Sequence, residues 1–337
     1  MQIPAFAGDA WWLRPEHIVD GVGPGFFADV LNRRSVIGAA AVPLASVLTV
    51  TAASGKTYID GGGVLRTAAA NEARIDCSSG VAELLLEGAA TNLVLNSATL
   101  STQSVTVSAT AYTLSFTGTG TVTLSGASTA GPLVGTGAAN RVSLTFTPSA
   151  GTLTLTVSGS VTQAQLETGS IATSYIPTTA SAVTRATDLC QLTAAAASVI
   201  QATSAAVAWR GVIPVAQAGQ QIIGLGDGLN LIRATNTPNT RLAIFNATSG
   251  LALEVGTDVI PGALGICAGW GASGTRFAAN GVAASAVQTN SWPTTIYLGP
   301  STGLGTGQVF RIRQLVGWTM TDRPSAEAVT AQARLAA

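Results

Sequence analysis

Between Glu87 and Glu167 the chain carries a single charged residue, Arg141, while apolar residues alternate with threonine or serine. Val105 and Val107, then Tyr112, Leu114 and Phe116, then Val122 and Leu124 hold every second position. The series resumes at Val142, Leu144 and Phe146 and at Leu153, Leu155 and Val157. A period of two, with one apolar and one hydroxyl face, is the pattern of half-buried antiparallel strands and does not suit an amphipathic helix. Turn sequences separate the runs: Thr117-Gly118-Thr119-Gly120, Ser125-Gly126 and Thr147-Pro148-Ser149-Ala150-Gly151. Short strands at this spacing predict a β-sandwich. Its threonine face has high β propensity and none of the charges that blunt strand edges, so neighbours in an assembly are expected to protect it.

A second β-rich region begins near residue 189. Candidate strands fall at 206–213, 221–225, 229–233, 241–245, 251–255, 264–270, 276–279, 295–298 and 309–318, which suits a jelly-roll or lectin-like sandwich. Trp209, Trp270 and Trp318 lie inside these runs and read as core. Asn280-Gly281 is a strong hairpin dipeptide. Only the tail reads as a helix, opened by Pro324, with Thr321 or Asp322 available to cap it. The expected fold is all-β: two antiparallel β-sandwiches in tandem after an extended N-terminal arm, closed by a short helix. The expected divisions are 1–34 (docking arm), 35–90 (linker and strand-entry region), 91–188 (Thr-rich sandwich) and 189–337 (second sandwich and helix).

The arm has a composition of its own: Trp11, Trp12, Phe26, Phe27, the chain's one histidine His17, and Arg14, Arg33 and Arg34. It is too short to own a core and must pack on something. A strap across its own neighbouring domain fits. A docking arm for another subunit is favoured, because Trp, Phe and Arg anchor interfaces. Trp11, Trp12, Arg14, Phe26 and Phe27 are the candidate docking residues.

Charge and composition exclude several classes. Basic and acidic residues number 16 each, the net charge is zero and only 9% of residues are charged, so no field gathers nucleic acid or anionic lipid. The uncharged runs 35–55 and 189–209 hold Pro43 or are rich in Ala, Ser, Thr and Gln, and neither reads as a membrane span or targeting segment. Cys77, Cys190 and Cys267 are far apart and read as reduced structural thiols; with one histidine, no metal or cofactor site is expected. A glycosidase needs two carboxylates flanking the sugar bond. After Asp188 the acids are Asp227, Glu254, Asp258, Asp322 and Glu327, and none forms a Glu-x-Asp-x-x-Glu strand. Glu254 and Asp258 read as solvated strand-end charges, so no enzyme is expected. Sugar binding asks for an exposed aromatic with polar partners. Trp292 with Asn290, and Asp227 with Asn230, are the candidates, although a glycine-assisted turn explains Asp227-Gly228-Leu229-Asn230 equally well.

Two sets of blocks carry a resemblance. Gly63-Val-Leu-Arg-Thr-Ala-Ala-Ala-Asn-Glu-Ala-Arg74 and Leu84-Leu-Leu-Glu-Gly-Ala-Ala-Thr-Asn-Leu93 resemble the opening of tailed-phage spike and fibre proteins. Ala164-Gln-Leu-Glu-Thr-Gly-Ser-Ile-Ala-Thr-Ser-Tyr-Ile-Pro-Thr-Thr179 and Thr184-Arg-Ala-Thr-Asp188 resemble the close of the phage head-spike fibre domain. The run Leu48-Thr-Val-Thr-Ala-Ala-Ser54 departs from the family's pattern before Tyr58. In the last third, Gly265 to Trp270, Arg276-Phe-Ala-Ala-Asn-Gly-Val282, Ile296-Tyr-Leu-Gly299 and Gly307 to Trp318 are similar to concanavalin A-like, laminin G-type sandwiches. The resemblance implies a non-enzymatic virion protein, a head spike or tail fibre subunit assembled in the bacterial cytoplasm. It further implies other virion proteins as partners, itself as a trimer, and host glycans as ligand. A capsule-degrading enzyme and a purely architectural cement protein are the alternatives.

Overall fold

The computed structural model describes residues 10–217, 220–225, 230–234, 240–246, 251–255, 258–286, 296–300 and 303–334. The alternating stretch forms the expected sandwich. In one sheet Tyr112–Gly118 lies between Gly137–Phe146 and Val161–Thr168. In the other, Gly151–Ser158 lies between Gln103–Val107 and Thr121–Gly126, with Leu133–Val134 at the far edge. The period-two residues Leu114, Phe116, Val122, Leu124, Leu153 and Leu155 meet between the sheets and are buried. Their hydroxyl neighbours Ser104, Thr106, Thr123, Ser125, Thr152 and Thr156 cover an exposed, uncharged outer face. The outer face of the other sheet is covered along its central strand, where Thr113, Ser115 and Thr117 are buried and the Thr113 hydroxyl donates to the Gly169 carbonyl at 2.9 Å, while Ser143 and Thr145 on the neighbouring edge strand are exposed.

The second sandwich departs from a tandem arrangement. Its larger sheet runs Val282–Ala286, Gly274–Ala279, Gly262–Gly271, Ala205–Ile213, Val309–Thr319, Phe26–Asp29, Arg34–Ile37, Ala40–Ala41. The long strand Val309–Thr319 pairs along one side with Ala205–Ile213, and on the other with Glu83–Glu87 and then Phe26–Asp29. The facing sheet runs Leu251–Val255, Leu242–Asn246, Asn230–Ala234, Gln221–Leu225, Ile296–Leu298, Leu189–Leu192, Leu48–Thr51. Chain from before residue 90 therefore supplies strands to both sheets, and the Thr-rich sandwich is inserted into the other. The division 35–90, expected as a linker and strand-entry region, supplies strands to both large sheets. The insertion enters and leaves through one doorway, where Ala90–Asn92 pairs antiparallel with Val183–Arg185. Trp209 and Trp270 fill the core between the large sheets, and Trp318 lies beneath the terminal helix; all three are buried.

The free arm is corrected as well. Phe26 and Phe27 sit in a strand and are fully buried, Phe26 in the inter-sheet core and Phe27 on the opposite face. Fully burying one such ring is worth about 1.5–3 kcal/mol, which commits both rings to their own domain. Trp11 stacks 4.9 Å from Phe27, the Arg34 guanidinium lies 3.9 Å over the Trp11 ring, and the Trp318 indole N–H donates to the His17 carbonyl at 3.0 Å. Residues 11–22 are thus a strap over this side of the sheet. Beside them packs the terminal helix Ala326–Arg334, which buries Val329 and Ala333. Its cap is Ser325, whose hydroxyl accepts from the Ala328 N–H at 3.2 Å. Asp322 instead binds the Ser273 hydroxyl at 2.6 Å.

Candidate functional site

The residues with the greatest concentration of buried charge lie at the doorway between the two sandwiches. Lys56 starts the strand Lys56–Ile59, Arg74 starts Arg74–Asp76, Glu87 ends Glu83–Glu87, Arg185 ends Val183–Arg185, and Asp188 immediately precedes Leu189–Leu192. Each side chain is 3% exposed or less, so solvent neither screens nor satisfies them. They satisfy one another. Arg74 spans both carboxylates, with Nη1 2.7 Å from Glu87 Oε2 and Nη2 2.7 Å from Asp188 Oδ2. Arg185 Nη1 lies 3.1 Å from the same Glu87 oxygen, and Lys56 Nζ lies 2.5 Å from Asp188 Oδ1.

Backbone and hydroxyl groups add to the shell, although the buried Arg185 Nε is left without a partner among the described residues. The Glu87 amide N–H donates to Asp188 Oδ2 at 2.8 Å, and the Ser174 amide and hydroxyl donate to the two Glu87 oxygens at 2.7 and 2.6 Å. Burial works against the Glu87 carboxylate, but Arg185, Arg74 and Ser174 together hold its carboxyl well below the ordinary range. Burial pushes the Lys56 ammonium down, and Asp188 offsets only part of that. Nearby, Glu167 accepts from the Thr173 amide at 2.9 Å and the Thr173 hydroxyl at 2.6 Å, which pins the 170–175 segment over the inserted sheet; burial raises its carboxyl. The cluster joins three strands that precede the insertion, the doorway strand Val183–Arg185 and the residue that leads into the strand after it. Chemically it is a sealed electrostatic joint.

The site residues named from sequence are dispersed. Trp11 and Phe27 touch, as above. Trp12 is half-buried, Arg14 is exposed, and Phe26 faces the core away from them. Trp292, Asn290 and Asp227 lie outside the described residues. Asn230 opens the strand Asn230–Ala234 opposite Asn246. Glu254 and Asp258 share one cation, Arg241, at 3.3 and 3.4 Å. All three cysteines are free; Cys190 and Cys267 are buried, and burial pushes the Cys267 thiol up to about 12. Among the described residues no group of three His, Cys, Asp or Glu stands close enough to hold a metal ion. Among them no helix is long and apolar enough to cross a membrane. The joint was not singled out from sequence. Of its residues only Glu87, the last charge before the nearly uncharged stretch, is marked by its place in the sequence.

The fold defines an all-β protein in which one two-sheet sandwich is inserted into another. No family model matches the sequence, and no curated protein matches it. Among solved structures, the chain is similar to the CBM40 of the Ruminococcus gnavus IT-sialidase, bound to α2,3-sialyllactose. That match has 14% identity and a TM-score of 0.31 and covers 41% of this chain and 86% of that one. It is also similar to domain 4 of AbnA, a GH43 extracellular arabinanase from Geobacillus stearothermophilus, in complex with arabinotriose. There the identity is 13% and the TM-score 0.35, over 49% of this chain and 83% of that one. The receptor-binding domain of botulinum neurotoxin type G matches at 10% identity and a TM-score of 0.30, over 43% and 39% of the two chains.

Proposed function

We propose that the chain is a non-enzymatic structural protein of a virion, a head spike or tail fibre subunit of a tailed bacteriophage or phage-like particle. It is assembled in the host cytoplasm, and its larger sandwich is turned outward to host-surface glycans. One observation carries this reading. The blocks by which the sequence resembles the head-spike fibre domain are the ones that build the joint: Arg74 and Glu87 from the opening blocks, Ser174, Arg185 and Asp188 from the closing ones. A motif spent on a sealed connection between two sandwiches suits a part that must hold its shape under load. On the particle side, the strap offers the half-buried Trp12, the exposed Leu13 and the exposed Arg14 as an anchor, in place of the buried Phe26 and Phe27.

Gold-labelled antibody against the chain, applied to purified particles of its source and viewed by electron microscopy, tests the reading. Label at regular positions on intact particles is the expected result. Particles that lack the chain would sink it, and so would release of reducing ends from host capsule by the purified protein, which would favour the degrading enzyme.

A further inference from the structure

Lys56 is the only lysine among the chain's 16 basic residues, and the fold seals it against a carboxylate. Everywhere else that a cation is needed the sequence uses arginine, whose guanidinium keeps its proton and is no nucleophile. At this one position it uses a primary amine. The amine nitrogen is held 2.5 Å from Asp188 Oδ1, with side-chain exposures of 3% and 2%. The other carboxylate oxygen, Oδ2, accepts two hydrogen bonds, from Arg74 Nη2 at 2.7 Å and from the Glu87 amide N–H at 2.8 Å. A buried amine beside a carboxyl whose second oxygen faces two fixed donors has the parts of an acyl-transfer site, with nucleophile, electrophile and oxyanion donors all present.

We propose that Lys56 and Asp188 condense after folding into an intramolecular isopeptide bond that covalently closes the doorway of the inserted sandwich. The step balances without any co-reactant. A proton moves from the Lys56 ammonium to Oδ1 along the existing hydrogen bond, leaving a neutral amine and a carboxylic acid. The Nζ lone pair forms a bond to Cγ, and the carbonyl electron pair moves onto Oδ2, where Arg74 and the Glu87 N–H hold the negative charge. A second Nζ proton passes to Oδ1, the Cγ–Oδ1 bond breaks and water leaves. The product is an amide whose oxygen is Oδ2, still bonded to both donors.

Three physical factors favour this direction. The reacting atoms are held together by the fold, so no encounter entropy opposes the step. Burial depresses the protonation of Lys56 and makes the neutral amine accessible. Condensation removes one buried charge of each sign, which relieves their desolvation cost and leaves the net charge of the cluster unchanged. Glu87 acts through Arg74 and Arg185 as a positioning residue. The cross-link would enclose the whole insertion in a covalent loop, so tension between the chain ends would bypass the smaller sandwich.

Mass spectrometry of the purified recombinant full chain, denatured and digested with trypsin, tests this whatever particle the protein serves. The expected intact mass is below the sequence mass by one water molecule. The expected digest contains the peptide 35–66, uncleaved at Lys56, joined to the peptide 186–210. In the denatured chain an amine-reactive label should find only the α-amino group. The Lys56→Arg variant should show the full sequence mass and no joined peptide. Wild-type protein at full mass with cleavage at Lys56, or a water deficit mapped to any other residue, overturns the proposal. The wild-type digest decides the matter even if the variant fails to fold.

Discussion

Glu87 neutralises two guanidinium groups in a place water does not reach, and such a residue is costly to change in one direction only. Replacing a whole buried ion cluster with packed apolar groups can be neutral, but removing one partner strands the others as uncompensated charges. Glu87→Gln would leave Arg74 and Arg185 without their shared carboxylate. The expected loss is about 3–5 kcal/mol by urea unfolding at neutral pH. The folded carboxyl is held below its unfolded value, so its stabilisation is complete above the ordinary carboxylate range and is lost as pH falls through the folded value. The gap between wild type and variant should therefore be widest near neutrality and close only in strong acid; a gap constant with pH would show that the charge is not what matters. None of this geometry was legible in the sequence. Lys56 and Asp188 are 132 positions apart, and only the tertiary fold brings them together.

Elements were legible in proportion to how one-sided their burial is. Gly151–Ser158 alternates because one face is core and the other solvent, and its strand was read directly. Phe26–Asp29 is buried at all four positions, so it has no alternation to detect, and its aromatics were read as an interface. The helix Ala194–Ile200 was missed for a related reason. It is seven residues long and alanine-rich, and its apolar signal comes mainly from Ile200 and Val199. Its cap is Thr193, which accepts from the Ala196 N–H at 3.3 Å. How closely the N-terminal strand is integrated can be tested at Gly317, opposite Phe26 in the ladder. A Cβ there would sit 2.2 Å from Phe26 Cε1 and 2.8 Å from Ile200 Cγ2. Gly317→Ala should cost about 1–3 kcal/mol, as overpacking does, and should open the chain to protease before residue 30. Unchanged stability and an unchanged digest would mean that the strand is only loosely held.

At the scale of the molecule, composition predicted a chain that hides an uncharged face, and the fold shows where that face is. Ser104, Thr106, Thr123, Ser125, Thr152 and Thr156 stand on one side of the inserted sandwich, and no charged side chain interrupts them. The one charge in the stretch, Arg141, is turned inward to the Ser115 hydroxyl at 2.8 Å and the Gln163 carbonyl at 3.3 Å. The end strands Gln103–Val107 and Gly137–Phe146 thus lack the outward lysine and glutamate with which solitary sheets protect their edges. Desolvating such a face on association costs little beside an ordinary charged surface, and hydroxyls can exchange water for one another, as Ser104 and Thr154 already do at 3.0 Å. Closed cyclic symmetry would bury face and edges without propagating into filaments. The expected species is a homotrimer joined through the inserted sandwich. Thr145 belongs to the other sheet and bonds the Thr113 hydroxyl at 2.9 Å, so the test belongs on the open face. In sedimentation equilibrium the wild-type chain should run as the trimer and the Thr123→Lys, Thr156→Lys double variant as a folded monomer. A wild-type monomer would sink the proposal, and a double variant that still trimerises would move the contact to another surface.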